Sequence, residues 1–492
     1  MKARKNHISR KLFLQQLSIG IGALGTGIFF PGSLSAAEFL SGKTNNPRKV
    51  LVIGAGLAGL GAAWELKKAG HDVTVLEARN RSGGRVSTLR KPFSEGLYAE
   101  EGAAAYGATY TVAKNLIEEF GLETMPYPMP EKTVYHLNGK RITYSPGEQV
   151  VWPYELNEKE QGMDPMALVK MYIIDTLPQE VGEPDLWKKE PVVNLDHQSL
   201  EEYLIKQGAS EGAIKLIRNT QWFAAVPGET SALSTGVSDF GLFMMGGVPF
   251  ILKGGNDKLP QIMADKMKDN IEYGVEVAQV KDNGRGVVVR DKNGKEYTAD
   301  EAIVAVPLKV TQKIAFEPQL SAAKRSALEN MPVMHLTRTF LKVDNPYWLE
   351  EGLSGAAHTD LAVGQVNPYF HSQDPQNNPA VLEGYVAGPK AESLARLPEE
   401  EVIKEIKTQM EKVYPGIEDH FQKGHVKAWS TDPYALGGPS WPAPGDVTAY
   451  LEDLQSSHGR IHFAGEHTSV LRSTMEGALR SGMRAAQKIA VT

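Results

Sequence analysis

The 492-residue sequence contains no cysteine. That absence excludes disulfide frameworks, zinc–thiolate sites and thiol catalysis, and it leaves the redox compartment open. The chain also lacks self-similarity at any fixed period and has no low-complexity tract, which sets aside solenoids, arrays and collagen-like rods. Basic residues are in deficit: 53 Lys and Arg stand against 59 Asp and Glu, a formal charge of −6. Sequence-independent nucleic-acid binding is not expected of such a chain, and no metal site is expected either.

The charge deficit is uneven. Residues 1–37 hold five Lys or Arg and no acid, so 53 less those five leaves 48 bases against 59 acids, a net −11 over the remainder. An acidic surface attracts cationic ligands at long range, although charges inside a site weigh more. With 41% hydrophobic residues, the chain can bury a large core as two domains or one interleaved pair.

The amino-terminal stretch reads as an address. Residues 1–11 are basic, and residues 12–30 are moderately apolar but interrupted by Gly20, Gly22, Gly25 and Gly27. Ser35, Ala36 and Ala37 then offer small side chains for cleavage, completing the layout of a secretory signal. The run from Ser9 to Gln15 (SRKLFLQ) resembles a twin-arginine export signal with Lys11 in place of the second arginine. The expectation is a cleaved signal over residues 1–37 and an exported, periplasmic or secreted bacterial protein. The alternative is an uncleaved anchor, since about 20 apolar residues span a bilayer; Gln15, Gln16 and Ser18 weaken it.

What the chain does have is glycine in a telling place. Residues 49–86 read KVLVIGAGLAGLGAAWELKKAGHDVTVLEARNRSGGRV: an apolar strand, a glycine turn, a helix, a second strand and a further glycine pair. Gly54 permits the tight turn, Gly56 lets backbone approach a pyrophosphate, and Gly59 lets the helix pack on the strand. The helix then offers free N–H groups and the positive end of its dipole to the anion. Glu77, eighteen residues beyond Gly59, closes the second strand where an acid can bind a ribose diol. Gly83, Gly84 and Arg85 add a second flexible turn and a fork-shaped cation, which a plain nicotinamide-binding unit does not need.

Beyond this unit, residues 98–105 (YAEEGAAA) suggest a strand edge, residues 111–120 an amphipathic helix, and residues 135–144 a hairpin about Asn138 and Gly139. Residues 153–233 have a helical pattern with Ser199 as a cap, as expected of an inserted substrate domain. Strands are expected at residues 275–280, 302–307, 334–343, 381–386 and 460–465, with a hairpin at 286–297. Helices are expected at residues 399–414 and 476–490.

Several of these segments match one family together. GAGLAGL at 54–60, Glu77-Ala78-Arg79, Gly83-Gly84-Arg85, Gly254-Gly255 with Leu259, IVAVP at 303–307, HFAGEHT at 462–468 and MEGA at 475–478 resemble the flavin amine oxidases, a group that includes monoamine, polyamine and L-amino acid oxidases. The likeness runs from about residue 49 to the end. It implies a mixed α/β and α+β fold: a Rossmann-like FAD-binding domain from residues 45–130, 240–305 and 425–492, with an interleaved substrate domain of mixed sheet and helices from residues 131–239 and 306–424. It further implies that FAD is held by Gly54, Gly56, Leu57, Ala58, Gly59, Glu77, Ala78, Arg79, Gly84, Arg85, Gly102, Ala103, Val277, Gly465, Glu466, Thr474, Met475 and Ala478. Without a cysteine, the FAD is expected to be noncovalent.

The departures from that pattern are informative. Where the family places a lysine by the flavin, this chain has Arg338, which does not readily give up a proton and puts reoxidation by oxygen in question; the alternative is a surface ion pair on an alternating strand. The arginine that holds a substrate carboxylate in amino acid oxidases is replaced by Ala105, while Tyr385 matches a tyrosine that shares that task. The two tyrosines that flank substrate in monoamine oxidases are absent: one position is Thr474, and Trp441 is the aromatic near the other. The expected substrate is therefore a small-molecule amine, oxidised at its C–N bond to an imine, with oxygen or an electron-acceptor protein taking the electrons and a homodimer left open. An L-amino acid oxidase is the alternative; a flavin desaturase or a noncatalytic flavin-binding protein is a third reading.

Overall fold

The computed structural model describes residues 42–93, 96–128, 131–220, 228–236, 247–369 and 378–490. The expected export signal therefore lies outside the described residues. Among those described, no helix is long and apolar enough to cross a membrane.

Short, near-continuous apolar runs build a five-stranded parallel sheet from Lys49–Ile53, Asp72–Glu77, Ile271–Tyr273, Glu301–Val304 and Ile461–Phe463. Numbered along the chain, its strands lie in the order 3-2-1-4-5, the Rossmann arrangement. The strand Lys49–Ile53 is central, so Val50, Leu51, Val52 and Ile53 are all buried. The helix Leu57–Lys68 covers one face of this sheet, and the C-terminal helix Met475–Ala490 packs on that helix. Their contact is backbone-close: a Cβ on Gly482 would lie 2.0 Å from the Ala58 carbonyl oxygen.

A seven-stranded mixed sheet stands on the other side of the cavity, in the spatial order Phe421–Ala428, Leu336–Val343, Ala380–Ala387, Gln365–Tyr369, Ala357–Thr359, Thr133–Leu137 and Lys140–Tyr144. Its period-2 alternation separates two environments. Leu341, Leu382, Val386 and Val366 face the helix Glu399–Val413, whose Val402, Ile406 and Met410 complete that core. Arg338, Glu383, Tyr385, Gln365 and Asn367 occupy the opposite face.

The expected hairpin at Asn138 and Gly139 joins Thr133–Leu137 to Lys140–Tyr144, with both turn residues at positive φ. Ser199 caps the helix Leu200–Lys206 in a full capping box with Glu202. A four-stranded sheet holds Val277–Asp282 between Val287–Asp291 and Ala315–Glu317. The last of these lies beyond residue 305 and pairs in parallel with Val277–Asp282.

Candidate active site

One cavity of about 400 Å³ runs between the parallel sheet and the seven-stranded sheet. It is lined by Gly54, Gly56, Leu57, Ala58, Glu77, Ala78, Arg79, Gly84, Arg85, Gly102, Ala103, Val277, Gly465, Glu466, Thr474, Met475 and Ala478, and also by Arg338, Tyr385, Trp441 and Ala105. Gly59 is the exception among the expected residues. It is buried beneath the turn, where a Cβ would stand 1.9 Å from the Gly54 carbonyl oxygen, so its contribution is helix-to-strand packing rather than contact with a ligand.

The cradle begins at the helix Leu57–Lys68. Its N-cap, Gly56, has no side chain to satisfy the first N–H groups, and no acid occupies the first turn. Space is open there as well, since a Cβ on Gly56 would meet nothing within 4 Å. The second glycine turn closes against the first, with Gly83 N donating to the Ala55 carbonyl at 2.8 Å. An uncapped helix end, free of competing acids and open to the cavity, fits the pyrophosphate of a dinucleotide.

Glu77 sits at the end of its strand, where its two carboxylate oxygens accept from Ala55 N at 2.7 Å and Arg79 N at 2.8 Å. Burial raises its pKa, against the pull of those amides. Glu466 follows the strand Ile461–Phe463 and gathers donors from three segments: Arg85 at 3.1 Å, Ser440 Oγ at 2.7 Å and Ser473 N at 3.0 Å. Burial alone would raise its pKa, but Arg85, His467 and these hydrogen bonds outweigh it, and Glu466 is lowered to about 2.

The other end of the cavity is organised around Arg338. It is fully buried, which corrects the reading of a surface ion pair: its strand is covered on both edges, by Ala380–Ala387 and by Phe421–Ala428. Its Nε donates to Glu383, its Nη1 to the Gly102 carbonyl, and its Nη2 to Tyr369 Oη at 3.3 Å. Glu383, also fully buried, holds the guanidinium in its charged form and raises its pKa against the opposing effect of desolvation. Tyr385 stands directly opposite Arg338, with the guanidinium 5.2 Å from its ring centre.

Thr474 and Trp441 both line the cavity, and each also makes structural contacts. The Thr474 hydroxyl accepts from Gly477 N at 2.8 Å and donates to the Leu471 carbonyl at 2.7 Å, so it caps the C-terminal helix. Trp441 belongs to the main core as well as the cavity wall, with the Arg472 guanidinium 4.3 Å from its ring centre. The Glu476 carboxylate points away from the cradle and accepts from Val112 N and Ala113 N, each at 3.0 Å, at the start of the helix Thr111–Glu119.

Several residues of the site escaped the sequence reading. Trp429 lines the cavity and donates its indole N–H to the Glu101 carbonyl at 2.7 Å. Asp432 pairs with Arg79 at 2.5 Å, and the same arginine stands 5.1 Å from the ring centre of Tyr434. Buried Asn256 donates to the carbonyls of Ala103 at 3.1 Å and Ala104 at 2.9 Å, pinning the small-residue wall beside Ala105. The available signals were the polar residues at alternate positions of the strands Gln365–Tyr369 and Ala380–Ala387, and a tryptophan close to an Asp-Pro-Tyr turn.

A Rossmann-ordered sheet, an uncapped glycine turn and a long cavity with a charged, dry far wall define a dinucleotide-binding oxidoreductase. The chain belongs to the flavin containing amine oxidoreductases, whose family model matches residues 57–490. Among curated relatives, it is 28% identical to an L-amino-acid oxidase of Gloydius blomhoffii over 465 residues, covering 91% of this chain and 90% of that one. An L-amino-acid oxidase of Demansia vestigiata is 27% identical over 462 residues, covering 91% and 87%. Among solved structures, a putrescine oxidase double mutant superposes with a TM-score of 0.77 at 24% identity, covering 91% of this chain and 99% of that one. Cyclohexylamine oxidase from Brevibacterium oxydans IH-35A gives a TM-score of 0.75 at 22% identity, covering 91% and 99%. These structures share the fold. The protein is a flavin-dependent amine oxidoreductase.

Proposed function

We propose that the chain oxidises the C–N bond of an uncharged amine that carries no carboxylate beside the reacting carbon, with FAD held noncovalently. The observation that carries this reading is the state of Arg338: its charge is matched by Glu383 and its donors turn to Glu383, Gly102 and Tyr369. The neighbouring wall position is Ala105, which offers no charge. A substrate carboxylate at this wall would face a guanidinium whose charge is already matched by Glu383, whereas a neutral amine needs no cation.

Bound flavin would supply the two-electron acceptor for the hydride that leaves the amine's α-carbon while the nitrogen lone pair forms the imine. The residues that would hold the group are those of the glycine cradle, with Glu77 at the adenosine ribose, Arg85 by the pyrophosphate, Val277 at the adenine, and Glu466 at the ribitol or phosphate. Thr474, Met475 and Ala478 would cover the pyrimidine end. Arg338, Tyr385 and Trp441 would wall the reacting carbon and keep water away, so that the amine stays deprotonated and oriented until the imine is released and hydrolysed. The nucleotide-binding segments would be 45–130, 240–305 and 425–492, and the substrate-binding segments 131–239 and 306–424.

Oxidation of L-amino acids is the second reading, favoured by the names of the curated relatives and by Tyr385 on the cavity wall. Anaerobic mixing of the purified holoprotein with panels of amines and amino acids separates the two. Bleaching of the flavin absorbance by amines is expected, with recovery on admitting oxygen or, if oxygen reacts slowly with a flavin beside a fixed guanidinium, on adding an artificial acceptor. Ammonia and keto acids formed from amino acids at comparable rates would favour the second reading; no bleaching by any amine would overturn the first. We also propose export, with residues 1–37 as a cleaved signal, an idea that uncleaved protein confined to the cytoplasm would defeat.

A further inference from the structure

Hydrogen-bond polarity can be followed outward from Arg338 across the sheet. A guanidinium only donates, so Glu383 accepts from it, and an ionised carboxylate only accepts. Asn367 must therefore present its NH₂ group to Glu383 Oε2, at 3.1 Å. That leaves the Asn367 carbonyl oxygen to accept, and it does so from Gln365 Nε2 at 3.2 Å. The Gln365 amide is thus oriented by elimination. Its remaining oxygen accepts no hydrogen bond among the described residues, while Gln365 itself lines the cavity.

The register places Gln365 relative to Arg338. Gln365 is paired with Tyr385, and Tyr385 with Arg338, so Gln365 and Arg338 sit two strands apart on one face. At a strand spacing of about 4.8 Å, the separation is about 10 Å. Gln365 therefore meets the far end of a substrate whose amine lies near Arg338.

We propose that Gln365 is the specificity-determining residue of this cavity, its carbonyl oxygen accepting a hydrogen bond from a neutral donor, a hydroxyl or amide N–H, at the end of the substrate remote from the oxidised amine. This rests on the amine reading above and narrows it: the substrate class is an amine bearing a distal donor rather than a plain alkylamine. A plain alkyl chain would bury the Gln365 oxygen without a partner, which sites built on a hydrogen bond penalise.

The test uses the holoenzyme and pairs of equal chain length from butyl to octyl, each pair an alkylamine and the amino alcohol with a terminal hydroxyl. Wild type is expected to favour the amino alcohol in kcat/KM by about tenfold in at least one pair, the scale of one hydrogen bond. In Gln365→Met the ratio should fall to about one; Gln365→Leu replaces the Met variant if that variant holds no flavin. Equal rates for every pair in wild type, or a preference that survives Gln365→Met, overturns the inference and leaves the amine reading standing. Failure of every amine and amino alcohol to bleach the flavin overturns both.

Discussion

Glu383 and Arg338 form an ion pair with no exposed surface on either partner, so solvent screening does not dilute it. Glu383→Leu would leave the guanidinium buried with only the Gly102 carbonyl and the Tyr369 hydroxyl as partners. Removing one member of such a pair costs about 3–5 kcal/mol, a large share of the roughly 5–15 kcal/mol that holds a folded protein together. Glu383→Gln should fall at the low end, about 3 kcal/mol, because an amide keeps an acceptor for Nε. The double variant Arg338→Met with Glu383→Leu removes both charges and should lie within about 2 kcal/mol of wild type, since apolar replacement of a whole buried pair is often close to neutral. The coupling read from the cycle is then at least about 4 kcal/mol. Urea midpoints at constant slope, followed by tryptophan fluorescence of the holoprotein, measure all four states. Single variants costing under about 1 kcal/mol, or a double variant equal to the sum of the singles, would refute the claim that this pair is dry and mutually dependent.

Gly59→Ala places a methyl group 1.9 Å from the Gly54 carbonyl oxygen, so the helix must move off its strand; stability should fall by about 1–3 kcal/mol, and the flavin-to-protein absorbance ratio of the purified protein should drop with it. Glu466 has an ordinary pKa of 4.5 and a folded value of about 2. A depressed folded pKa contributes stability that is complete above pH 4.5 and lost as pH falls through 2, here about 3 kcal/mol, and Glu466→Gln should flatten the thermal midpoint across that window. Ala105→Arg would add a cation to the cavity wall that Tyr385 also lines, and the ratio of amino acid to amine turnover should rise by at least about tenfold, a change visible in keto acid release.

The cradle for the cofactor was legible because its signals are local. Gly54, Gly56 and Glu77 are tied together by a strand, a turn and a helix within thirty residues, and each residue type is demanded by backbone geometry that no distant contact can alter. The same holds for the Asn138 and Gly139 turn and for the Ser199 cap, both of which depend on a few neighbouring dihedrals. Thr474 lines the cavity as the resemblance implied, but the commitment of its hydroxyl to the helix that follows could not be read from the sequence. Gly59 was expected both to pack the helix on its strand and to join the cofactor set, and the structure shows the packing.

The far wall of the cavity belongs to another category. A surface ion pair and a buried one look identical in a strand that alternates polar with apolar residues, and Arg338 could be either until its strand acquired a neighbour on each edge. Glu383, 45 residues away, becomes its partner only through strand pairing, and Asn367 and Gln365 take their orientation from that pair in turn. Local geometry was enough to read a dinucleotide cradle from the chain alone, and the resemblance of separated motifs supplied the family. Which polar groups are dry, which are already satisfied and which are left facing a substrate depended on long-range register, because a hydrogen-bond polarity can be assigned only once every partner is in place.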